Sequence, residues 1–64
     1  MNRKPTPLKT AIFQRGLLQA DIAAEARISE ARLSRLVNGR AQLKEEEIRV
    51  LARILDVPEK ELAS

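Results

Sequence analysis

Signals that start or stop a helix recur at short intervals along this chain, and they confine it to short helices. Thr6-Pro7 is a start: a hydroxyl placed to cap, then a proline at the first helical position, where its missing N–H costs nothing. Gly16 is a stop, Ser29 a second cap and Asn38-Gly39 a second stop; Val57-Pro58 ends one helix and opens another. Apolar residues between these marks fall at helical spacing. Leu8, Ala11 and Ile12 share a face with Arg15, and Ile22 and Ala23 turn inward from a segment over about residues 19–26. Leu33, Leu36 and Val37 form the inner side of a segment from Glu30 to about Val37. Ile48, Leu51, Ala52 and Leu55 stripe the run EEEIRVLARIL, and Leu62 belongs to a last short turn. No stretch alternates with period two, so the spacing predicts an all-α fold, a compact bundle of about five short helices.

Phe13 is the only aromatic among 64 residues, so the core of this single small domain must be aliphatic. The chain has neither Cys nor His, which excludes a disulfide scaffold and the usual zinc and redox centres. No apolar run reaches the roughly 20 residues of a membrane span, and no signal-peptide pattern opens the chain. A short cytoplasmic domain with no membrane partner is the expectation. Residues 1–5 (MNRKP) carry no apolar anchor and are expected to form a disordered basic arm before a folded domain over residues 6–64. Charge is unevenly divided. Residues 1–44 hold nine bases and three acids, a net +6, while residues 45–64 hold three bases and six acids, a net −3. That asymmetry suits a polyanion met by one side of the molecule.

Little here suits catalysis. Glu45, Glu46 and Glu47 are the one carboxylate cluster, and adjacent helical positions do not face one another. Their placement in a first helical turn instead complements the positive end of the helix dipole. Ser29 and Ser34 have no histidine to activate them, and the two glycines form no phosphate-cradling loop. Neither an enzyme nor a cofactor is expected.

The stretch RISEARLSRLVNGR, residues 27–40, is more informative. On a helical wheel, Ala31, Ser34, Arg35 and Asn38 lie opposite the apolar side, with Glu30 and Arg32 on the flanks. Small side chains let a helix sit deep in the DNA major groove, and an arginine there reaches guanine O6 and N7 with two hydrogen bonds. From this segment alone, a reading face and an ordinary solvated face fit equally. The preceding segment ends a few residues earlier, which is helix-turn-helix spacing with the second helix as reader.

Those residues resemble the lambda repressor/Cro-like (Xre-type) helix-turn-helix family over about residues 7–62. The matching positions are Leu17, Gln19, Ile22, Ala23, Ile28, Ser29, Leu33, Ser34, Leu36, Asn38 and Gly39. The resemblance implies a lambda repressor-like DNA-binding domain that reads double-stranded DNA as a homodimer on a palindromic operator. It places Glu30, Ala31, Ser34 and Arg35 at base edges. Gln19, Ser29, Arg32, Asn38, Gly39 and Arg40 would fall at phosphates, with Gln42 and Lys44 as outer phosphate candidates. Glu30, first in its helix, suits the dipole and can accept a hydrogen bond from cytosine N4 or from Gln19.

The chain departs from the family pattern at several places. Leu18 stands where a capping Ser, Thr or Asn is usual, Arg27 where a turn glycine is frequent, and Leu43 where proline is frequent. Ile12 and Val37 replace an Arg and a Glu that often form a semi-buried ion pair. Exchanging both partners for hydrocarbon is neutral or stabilising where the fit is good, so Ile12 and Val37 are expected to pack together. Phe13, Val50 and Ile54 are apolar positions available for a dimer or partner contact. They support a competing reading: an interaction module, such as an antitoxin bound to its protein partner, with little DNA binding of its own.

Overall fold

Thr6 opens the first helix in the way its sequence prescribes. In the computed structural model, which describes residues 6–63, its Oγ1 accepts the Lys9 N–H at 3.0 Å and Pro7 begins the helix. Five helices follow: α1 (Pro7–Arg15), α2 (Gln19–Ala26), α3 (Glu30–Val37), α4 (Glu45–Leu55) and α5 (Glu59–Ala63). No strand occurs among the described residues. The expected basic arm, residues 1–5, lies outside them.

Every helix contributes to one aliphatic core. Leu8, Ala11 and Ile12 of α1 join Ile22 and Ala23 of α2, and Leu33, Leu36 and Val37 come from α3. Leu51, Ala52 and Leu55 of α4 and Leu62 of α5 complete it. No polar or charged residue is buried among the described residues. Leu8, Ile22, Leu33, Leu51 and Leu55 are fully enclosed, each removing about 2 kcal/mol of apolar surface from water. Ile48 and Ile54 are only half-buried against this cluster. Ile12 and Val37, at the former ion-pair positions, are both buried in it, and α1 packs on α3. The radius of gyration, 10.7 Å, matches the roughly 11 Å expected of a compact domain this long.

The helix ends repeat one device. A residue in the left-handed region reverses the chain, and the next N–H returns to a carbonyl five residues earlier. Ile28 N–H reaches Ala23 O at 3.0 Å, Arg40 N–H reaches Arg35 O at 2.8 Å and Val57 N–H reaches Ala52 O at 3.0 Å. Gly39 takes the reversing conformation freely (φ 73°), whereas Arg27 and Asp56 hold it at φ 61° and 57° despite their Cβ atoms. Arg27 is therefore the strained residue of the α2–α3 turn.

Candidate nucleic-acid interface

The outer face of α3 is built by what its inner face consumes. Leu33, Leu36 and Val37 are buried, which leaves Glu30, Ala31, Ser34, Arg35 and Asn38 exposed on the other side. Ser29 caps the helix by accepting the Arg32 N–H at 3.0 Å. At the far end, Asn38 Nδ2 donates to Ser34 O at 2.9 Å and contacts Ser34 Oγ at 3.4 Å. Among the described residues, Glu30, Ala31 and Arg35 make no side-chain hydrogen bond, and the Glu30–Gln19 bond that the sequence allowed is not formed. The exposed ridge is thus small at Ala31 and Ser34, carries one uncommitted guanidinium at Arg35, and has one carboxylate at its start.

Arg32 is engaged within the chain. Its Nε donates to Glu47 Oε2 at 3.0 Å, and its Nη2 donates to Glu47 Oε1 at 2.9 Å and to Gln42 O at 3.1 Å. Glu47 Oε1 also accepts the Lys44 N–H at 2.8 Å, supplying the acidic half of a capping box for α4. The guanidinium is therefore a strut tying α3 to the 40–44 loop and α4 through its Nε and Nη2. The pair shifts both groups in the stabilising sense. Hydrogen bonding to Arg32 holds the Glu47 carboxyl below its ordinary value, and hydrogen bonding to Glu47 raises the Arg32 guanidinium.

The backbone around Gly39 is engaged within the chain too. The Gly39 N–H points to Leu36 O at 3.2 Å and the Arg40 N–H is spent on Arg35 O, so neither amide projects outward as a phosphate donor. The exposed side chains of Arg40, Gln42 and Lys44 remain. Gln19 is exposed at the first position of α2, next to Leu18, which provides no side-chain cap.

Two links were invisible to a reading of local pattern. Arg32 and Glu47 are fifteen positions apart, and only the glutamate at the third helical position hinted at more than dipole compensation. Thr6 was legible as a cap, but its Oγ1 also donates to Val37 O at 2.7 Å, bonding the start of α1 to the end of α3. The apolar candidates separate as well. Phe13 is 84% exposed and Val50 lies at the surface, whereas Ile54 leans on the core.

A family model described as a helix-turn-helix domain matches residues 10–64. No curated protein and no solved structure gave a match. Among the described residues, no helix is long and apolar enough to cross a membrane.

Proposed function

The chain belongs to the helix-turn-helix domain family, and on that premise we propose a sequence-specific DNA-binding transcriptional regulator. In this reading α3 enters the major groove of double-stranded DNA. Arg35 reads guanine, Ala31 and Ser34 let the helix approach closely, and Glu30 selects cytosine by accepting from its N4 amino group. Gln19, Ser29, Asn38, Arg40, Gln42 and Lys44 take the flanking phosphates through their side chains. Arg32 acts behind them, holding the loop that carries Gln42 and Lys44 at a fixed distance from α3.

The observation that carries the reading is the ridge of Ala31, Ser34 and Arg35, exposed and, at Arg35, uncommitted within the protein. One such module covers little DNA. A homodimer on two half-sites about 34 Å apart would multiply its affinity, and occlusion of a promoter would make it a repressor in the cytoplasm of a bacterium or a phage host. Val50 is the exposed α4 residue available to such a dimer.

Selection of duplexes from a random pool tests the function, followed by titration of the winning sequence across salt. The expected results are enrichment of a two-fold site, steep salt dependence and, for Arg35→Ala, a loss of about 1–3 kcal/mol with relaxed preference at one base pair per half-site. Binding without enrichment would refute it.

A further inference from the structure

The four most exposed large apolar residues of the described chain are Phe13, Leu18, Leu17 and Val50. Three of them line one groove between the end of α1 and the start of α2, together with Lys9, Ile12, Gly16, Gln19 and Val37. Phe13 and Leu18 are 84% and 68% exposed there, so the only aromatic ring of the chain is spent on the surface rather than in the core. No carboxylate lines the groove. Its charged member is Lys9, which has no ion-pair partner among the described residues; the first N–H groups of α2 lack a side-chain cap beside it, and Asp21 in that turn lies outside the lining. The cavity is therefore apolar along its walls and electropositive at its rim.

We propose that this groove docks an acidic amphipathic segment of a partner protein, with apolar side chains against Phe13, Leu17 and Leu18 and a carboxylate beside Lys9. Charge complementarity selects that occupant over two others. A second copy seated with its groove against this one would set two Lys9 side chains at one apolar seam, and no carboxylate lines either groove to answer them. A second copy presenting its acidic end would make a head-to-tail contact, which yields rings or filaments rather than the two-fold dimer of the proposed function. DNA would satisfy Lys9 but leave the Phe13 and Leu18 surfaces facing a hydrated phosphate backbone. Gln19 lies on the groove rim and is also the α2 residue assigned to phosphate, so docking and DNA binding exclude each other. That last consequence rests on the function proposed above; the docking itself does not.

The test pans a display library of random peptides against the full chain and measures the enriched peptides by fluorescence anisotropy. Enrichment of acidic sequences with apolar residues at helical spacing is expected. Phe13→Ser and Leu18→Ala, the latter adding no cap to α2, should each weaken their binding about tenfold or more, while the exposed side chains leave the thermal melt intact. Lys9→Glu should weaken binding, and the same charge change at the remote Arg53 should not. The peptide should also displace a duplex selected as above. Absence of enrichment, or enriched peptides indifferent to Phe13, would overturn the proposal. Loss of self-association in Phe13→Ser by sedimentation would assign the groove to a second copy instead, and loss of duplex affinity in that variant would assign it to DNA. If the chain selects no duplex, the displacement arm fails with the DNA reading, and the peptide arm still decides the docking.

Discussion

Thr6 is the residue whose removal most directly tests how this fold positions α3. One hydroxyl does two tasks. It accepts the Lys9 N–H at 3.0 Å, capping α1, and donates to the Val37 carbonyl at 2.7 Å, one of the orphaned acceptors at the end of α3. Thr6→Val keeps the volume and removes both bonds. Loss of a cap costs about 1 kcal/mol. Leaving a carbonyl without its partner costs about 1–3 kcal/mol, and the half-buried setting of this bond favours the lower end. The sum is about 2 kcal/mol, a large share of the roughly 3–10 kcal/mol available to a domain of this size. For such a domain the melting temperature should fall by roughly 8–16 °C. Thermal and urea unfolding followed by circular dichroism would measure it. Thr6→Ser, which retains the hydroxyl and loses only the methyl facing Gly39, should stay within about 0.5 kcal/mol of the parent. A valine variant as stable as the parent, or a serine variant as damaged as the valine one, would refute the double role.

Other substitutions probe different parts of the structure. Leu33→Ala, at a side chain with no exposure, should cost about 2–5 kcal/mol in urea unfolding, with the spread set by how far the core collapses. Arg27→Gly should stabilise by about 0.5–1 kcal/mol, because glycine holds φ 61° without the strain that a Cβ brings; a lower melting temperature would contradict this. Glu47 has its folded-state pKa depressed, so its contribution is complete above its ordinary value of 4.5 and is lost as pH falls through the lower folded value. Acid titration of Glu47→Gln should therefore show lower stability at neutral pH and a shallower decline below about pH 4.5 than the parent.

The helices were legible because each carries its own punctuation. Thr6-Pro7, Gly16, Ser29 and Gly39 act on their immediate neighbours, and local chemistry of that kind is written in adjacent residues. The aliphatic core followed from helical spacing, since a residue's face is fixed once its helix is. The uses of Arg32 and of the Thr6 hydroxyl were not legible, because their partners lie fifteen and thirty-one positions away. Such partners depend on how helices pack, and no local pattern encodes that. The same limit applies to the Gly39 and Arg40 amides. Their sequence announced a helix stop, but whether the N–H groups face inward or outward depends on the reversal itself.

The division of labour within α3 has a consequence for how the protein can change. Its structural duties fall on Ser29, Arg32, Leu33, Leu36 and Val37, whose bonds and burial hold the helix in place. Glu30, Ala31 and Arg35 are interleaved with them in sequence yet contribute no side-chain hydrogen bond among the described residues. Identity at those three positions is thus nearly uncoupled from stability. Under the function proposed above, a lineage, or a designer, can exchange them as a set and obtain a new recognition sequence on an unaltered scaffold. Substitutions at the interleaved positions carry no such freedom, so diversity among functional variants of this helix should follow an alternating rhythm of fixed and free sites.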